Sequence, residues 1–192
     1  MINRFREYLI FLDQKLAKMF EKQKTFIKCK KGCAYCCQEG EYPLSELEYI
    51  NTMFYYNTLP NDVKTRVNNK IKTLLNQKNL GLYECPFLID GVCSVYPARS
   101  IICRTFGLIS YDENDKRKMP FCIEKGLNFA EVYDPETNML TKKAKDGTEP
   151  LAFNISRRYL RSKSFEQQFN IYFGEDKALV DWLREEDFDF MK

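Results

Sequence analysis

The chain contains no histidine. That absence excludes zinc sites built on mixed cysteine and histidine pairs or on a histidine triplet, Rieske-type ligation, serine-histidine-aspartate triads and cysteine-histidine nucleophile pairs. Its chemistry must come from thiolates, carboxylates, tyrosines, lysines or a cofactor. An excess of one charge is missing too: 30 basic residues face 27 acidic ones, for a net charge of +3. Composition therefore gives no support for nucleic-acid binding. No apolar run approaches the ~18 residues of a membrane span. The Tyr-Leu-Ile-Phe-Leu run that starts at Tyr8 meets Asp13 and Lys15 too soon for a signal-peptide core. The expectation is a cytoplasmic chain, in which thiols stay reduced and cysteine spacing reads as metal binding or catalysis. Internal repeats and composition-biased linkers are also absent, so the 192 residues predict one compact unit over 1–192.

What the chain does have is cysteine, eight in all. Cys29, Cys33, Cys36 and Cys37 crowd into one short stretch, and Cys85, Cys93, Cys103 and Cys122 fall in one later segment. A small buried thiol contributes little apolar area, so core packing alone does not account for four so close together. Soft ligands turned toward one or two metal centres do. A disulfide scaffold would also suit the even count, but the adjacent Cys36-Cys37 pair and the long cysteine-free helices oppose it. Eight cysteines serving only as small core residues is the plain alternative. All eight are candidate metal ligands. Lys28, Lys30, Lys31, Arg99 and Arg104 could offset the negative charge of metal-bound thiolates, with Arg99 and Arg104 as charge partners or as members of ordinary ion pairs.

Periodicity predicts a mainly α fold, a helical single domain gripping a small β-hairpin and a cysteine-rich loop region. Phe5, Leu9, Leu12, Leu16 and Met19 lie on one stripe of a helix over 3–27, which packs on the core or offers a seam to a protein partner. Ser45 and Glu48 have capping-box spacing ahead of a helix to about Tyr55, with Leu47, Ile50 and Met53 inward. Pro60 opens another, carrying Val63, Val67, Ile71 and Leu74 or Leu75. These two helices would return the second cysteine group to the first. Asp90-Gly91 between short apolar runs predicts a hairpin that brings Cys85 and Cys93 toward each other, and Pro97 suits the start of a helix to Phe106 that presents Cys103. A charged loop over 112–118 and a further loop between Asp134-Pro135 and Asp146-Gly147 follow. The C-terminal helices fall within 151–187: Leu151 to about Arg161, another from Ser164 with capping-box spacing to Gln167, and a last from Glu175 to about Glu186 that buries Leu179, Trp182 and Leu183. The Arg157, Arg158, Arg161, Lys163 run reads as a solvated face.

Cys29-x-x-x-Cys33-x-x-Cys36-Cys37, Cys85-Pro86-Phe87-Leu88, Cys93-Ser94-Val95-Tyr96, Arg99 and Cys103-Arg104 together resemble the bacterial YkgJ-type cysteine-cluster family. Its members are described as zinc- or iron-chelating domains and often labelled iron-sulfur proteins, and the likeness runs from about Cys29 to Cys122. It implies a metal-binding core over 29–122 that holds an iron-sulfur cluster or zinc. Many members have two residues between the first cysteines where this chain has three, which sets Cys29 apart, and many have Arg-Pro where it has Arg99-Ser100. Two four-thiolate zinc sites would use all eight cysteines, and a cubane cluster would use four. Tyr35, Phe87, Tyr96, Phe106 and Phe121 could screen an oxidisable cluster from water.

Two enzyme likenesses stand beside this one. Cys29-x-x-x-Cys33-x-Tyr35-Cys36 also looks like the cluster loop of radical S-adenosylmethionine enzymes, although a fourth cysteine follows at once and little room remains for their strand-helix barrel. The cysteine region is similar to that of flagellin lysine methylases as well, which implies methyl transfer. The non-catalytic counterpart is a zinc-stabilised interaction module.

Overall fold

A computed structural model describes residues 1–30, 32–77, 80–112, 114–140 and 143–185. Helices hold 49% of these and strands 13%, the mainly α class that the periodicity predicts. In chain order the first elements are α1 (Ile2–Lys22), α2 (Tyr35–Gln38), β1 (Pro43–Ser45), α3 (Glu46–Tyr56), α4 (Asn61–Leu75), β2 (Leu88–Ile89), β3 (Val92–Cys93) and α5 (Ile101–Thr105). The rest are β4 (Ile109–Tyr111), β5 (Arg117–Lys118), β6 (Tyr133–Asp134), β7 (Met139–Leu140), β8 (Ala152–Phe153), α6 (Arg157–Leu160), α7 (Lys163–Phe169), β9 (Asp176–Ala178) and α8 (Leu179–Glu185). The backbone gathers into two compact units, one formed by Met1–Ile2, Gly32–Cys103 and Ile171–Lys192, the other by Asn3–Lys31 and Arg104–Asn170. Lys31 lies outside the described residues, as do Lys78, Asn79, Glu113, Thr141, Lys142 and Glu186 onward.

In the first unit α3 begins with the capping box that Ser45 and Glu48 predict, the Ser45 hydroxyl accepting from the Glu48 amide while the Glu48 carboxylate accepts from the Ser45 amide. Leu47, Tyr49, Met53 and Tyr56 are its buried apolar residues. Ile50 was expected to point inward, but it is 45% exposed and shares the outer face with Phe54, one turn on. The α4 helix buries Val67, Ile71 and Leu74 as its spacing requires. Antiparallel pairing of β1 with β9 draws the C-terminal segment alongside the entry to α3. Residues 176–178 are therefore strand where a helix from Glu175 was expected, because β1 offers them a pairing partner; the expected end at Glu186 lies outside the described residues. Leu179, Trp182 and Leu183 are buried as expected. The Trp182 ring stacks on Tyr49 with centroids 5.3 Å apart, and its indole N–H donates to the Leu44 carbonyl at 3.1 Å.

The second unit is built on α1, whose Phe5, Tyr8, Leu9, Leu12 and Leu16 are buried, with Met19 at the margin. The helix ends at Lys22 and a 3-10 turn, Lys24–Phe26, completes the expected span. Tyr8 donates to the Leu160 carbonyl at 2.5 Å, and its ring meets Phe165 and Phe169. Some expectations give way here. Of the expected charged loop over 112–118, residues 117–118 pair as β5 with β4 while 112 and 114–116 stay outside the strands, and β6 pairs with β7 inside the second expected loop. The predicted helix over 151–161 is β8, parallel to β4, followed by the short α6. That register pins 152–153 in extended form, which local helical spacing could not foresee. The next helix starts at Lys163, ahead of the expected Ser164, with no side-chain cap bond. Among the described residues β4 with β8 is the one parallel pair, and no strand-helix barrel forms. No helix there is long and apolar enough to cross a membrane.

Candidate metal centre

Six of the eight cysteines belong to the first unit: Cys33, Cys36, Cys37, Cys85, Cys93 and Cys103. Gly32, at a φ of +90° that L side chains rarely adopt, turns the chain into Cys33 and the single turn of α2 that carries Cys36 and Cys37. Their sulfurs are 4.0 Å apart. The two cysteine groups meet through backbone: the Cys85 amide donates to the Cys37 carbonyl at 2.8 Å, while Gly40 and Tyr83 exchange both of their backbone hydrogen bonds. Asp90 and Gly91 take φ of 50° and 73°, as the Asp-Gly signal predicts, and set Cys93 directly opposite Leu88.

Cys103 arrives differently from the expected continuous helix. A 3-10 turn, Tyr96–Ala98, stops at Arg99, whose ψ of 147° is extended, and α5 begins only at Ile101. The break has a cause in α3. Thr52 donates to the Ala98 carbonyl at 3.1 Å, and the Glu48 carboxylate accepts from the Ile101 amide at 2.7 Å, so α3 takes backbone groups that a continuous helix would use. Between these two anchors Ser100 donates to the Cys103 sulfur at 3.2 Å.

Enclosure decides the electrostatics. Burial lifts the Cys85 thiol well above its ordinary value, with the charges of Cys103 and Cys93 adding to it. Burial likewise pushes Cys93 up to about 11 and raises Cys103, opposed in the latter by the Ser100 hydroxyl. At Cys36 the hydrogen bond with Cys37 is the largest cause of a strong upward shift, ahead of burial. Tyr42 feels the same nest: burial, then the charges of Cys85, Cys37, Cys103 and Cys36, raise its phenol. The Arg99 guanidinium draws Cys36, Cys93 and Cys103 back down while its own plane lies 3.8 Å from the centroid of Tyr96. Arg104 has another occupation: its buried guanidinium pairs at 2.5 Å with the half-exposed Asp13 in the second unit.

Cys29 and Cys122 belong to the second unit. Cys29 is exposed and accepts from the amide of Asn128 at 3.3 Å; Asn128 is wholly buried, and it also donates to the Gly107 carbonyl and accepts from the Lys28 amide. Cys122 is buried on a 3-10 helix, Phe121–Lys125. None of the eight is in a disulfide.

Of the aromatics expected to screen the cysteines, Phe87 is buried, whereas Tyr35 and Tyr96 are exposed. Phe106 and Phe121 pair with each other in the second unit, ring centroids 5.0 Å apart. Sequence reasoning missed Tyr42 and Tyr83, whose rings meet edge to face at 5.4 Å, and Gly40, where any Cβ would sit 2.8 Å from the Tyr42 ring. A glycine two residues before a tyrosine was the one available signal.

Among the described residues no three cysteine, aspartate or glutamate side chains already form a metal cage. The donor chemistry nevertheless fits a thiophilic metal: clustered soft sulfurs, the cationic neighbours Arg99 and Lys70, and no imidazole. The 4.0 Å between the Cys36 and Cys37 sulfurs is close to the ~3.8 Å edge of a tetrahedron with metal–sulfur bonds of about 2.3 Å.

A family model described as "CxxCxxCC: Putative zinc- or iron-chelating domain" matches residues 28–123, a span that includes all eight cysteines. The match covers half of the chain, and the chain belongs to this YkgJ-type family, whose description indicates zinc or iron chelation. No curated protein and no solved structure matches the chain.

Proposed function

We propose that this chain chelates zinc or iron through Cys36, Cys37, Cys85, Cys93 and Cys103, with Cys33 completing the set, and that iron is held as an iron-sulfur cluster. The observation that carries the reading is the mutual electrostatic influence of these five thiols in a chain without histidine. Raised thiol pKa values mean that metal must displace protons from enclosed sulfurs, and Arg99 offsets part of the charge that results. The buried faces of Phe87, Tyr42 and Tyr83 keep water from the sulfurs, which protects an oxidisable centre. A bound cluster would supply one-electron chemistry, whereas zinc would supply folding energy. Cys29 and Cys122, which belong to the second unit, stand outside this set.

Zinc is the competing reading, since tetrahedral thiolate ligation suits zinc and iron alike. Elemental analysis with an absorption spectrum, on protein purified without oxygen and without a metal-binding tag, separates the two. Iron with acid-labile sulfide and a broad band near ~400 nm establishes the cluster. Zinc without colour establishes the structural site. Protein that carries neither, and takes up neither on reconstitution, overturns chelation at these cysteines.

A further inference from the structure

We propose that Ser100 is the hydrogen-bond donor that sets the electron density on the Cys103 sulfur in the metal centre, and that Glu48 and Thr52 hold it in that position. The inference rests on the chelation reading above. Ser100 is only 4% exposed, and its hydroxyl lies 3.2 Å from the Cys103 sulfur. Its backbone has little freedom to choose another partner. The residue two before it is tied through its carbonyl to Thr52, and the residue after it is tied through its amide to Glu48. Glu48 is itself buried and held on its other oxygen by the amide and hydroxyl of Ser45, at 3.0 Å and 2.7 Å. One α3 turn therefore fixes both flanks of the serine, and the extended Arg99 between them leaves the hydroxyl aimed back at the helix that starts at Ile101.

A hydroxyl that donates to a thiolate withdraws charge from sulfur. The sulfur then donates less to a metal, competes less well for a proton and gives a centre of higher reduction potential. Structural serines that only fill space do not act on a metal's electronic spectrum, which makes the two roles separable.

The test uses cobalt(II) as the probe, added to the full chain and to Ser100→Ala, Ser100→Thr and Cys103→Ser. Expected are equal cobalt per chain in the first three, a sulfur-to-cobalt charge-transfer band displaced to longer wavelength in Ser100→Ala, and recovery of the original band in Ser100→Thr. If Ser100→Ala does not fold, Ser100→Gly provides the same comparison. Superimposable bands for the wild type and Ser100→Ala overturn the role of Ser100 while leaving chelation intact. A wild-type chain with no charge-transfer band, or a band untouched by Cys103→Ser, overturns the assignment of Cys103 to the centre and Ser100 with it.

Discussion

In the first unit the thiols of Cys36, Cys85, Cys93 and Cys103 are pushed above their ordinary values; in the second the carboxyls of Glu131, Asp134 and Asp146 are held below theirs. The displacements have different origins. Three of the four thiols are lifted chiefly by enclosure and Cys36 by its hydrogen bond with Cys37, all four with neighbours of the same kind. The carboxyls sit at the surface, where Lys28, Thr137 and Thr148 respectively provide the leading favourable contacts. A surface carboxylate given its donors keeps its charge readily, whereas half-buried thiols packed together keep their protons. The contrast extends to the cysteines themselves. Cys36, Cys37, Cys85, Cys93 and Cys103 act on one another, while Cys29 is held by Asn128 in a network that also ties Lys28 and Gly107.

The largest expected effect breaks or upholds that division directly. Cys85→Ser should weaken metal retention by more than about 100-fold, beyond the 10–100-fold typical of groups outside the ligand sphere, while Cys29→Ser leaves it unchanged. Equal losses from both variants, read as metal per chain after dialysis against a chelator, would put Cys29 in the centre and end the division. Stability comes next. Leu183→Ala in the first unit should cost about 2–5 kcal/mol by opening a cavity beneath a wholly buried side chain. Asn128→Ala in the second should cost about 2–4 kcal/mol, because it strands the Gly107 carbonyl and the Lys28 amide. Urea unfolding followed by Trp182 fluorescence and by circular dichroism sharpens the comparison: Leu183→Ala must move the fluorescence transition, and a variant without effect on either signal refutes its cost.

The smallest effect concerns the carboxyls. Asp146 accepts from the Thr148 amide at 2.9 Å and the Thr25 hydroxyl at 3.0 Å, and its folded pKa lies below the ordinary 3.8. A depressed carboxyl contributes above its unfolded value and loses that contribution as pH falls through the folded one. Asp146→Asn should therefore unfold at slightly lower denaturant than the wild type at neutral pH, with the gap closing below pH 3.8. A gap that widens on acidification contradicts the sign.

Much of this was legible locally. The capping box at Ser45 and Glu48, the Asp90-Gly91 turn and the stripe of α1 follow from residues within a turn or two of one another, where backbone geometry and side-chain chemistry act at short range. The helix expected over 151–161 failed because a strand far away in sequence offers 152–153 a partner. The helix from Pro97 failed for a similar reason, since Glu48 and Thr52 reach across from α3 and stop it at Arg99. Ser100, which departs from the Arg-Pro of the resembling family, gained its meaning only when that break aimed its hydroxyl at Cys103.

By itself the sequence determined which donors are on offer: eight thiols, no imidazole, and a cysteine pattern that marks the family. The supply of donor atoms is a property of composition and spacing, so it survives without coordinates. Tertiary structure decided how those thiols divide between two units, which of them lift one another's pKa, and which buried groups, Tyr42, Glu48 and Ser100 among them, attend the sulfurs. Those are matters of enclosure and of contacts between residues distant in the chain, and electrostatic coupling exists only where folding brings charges together and excludes water from between them.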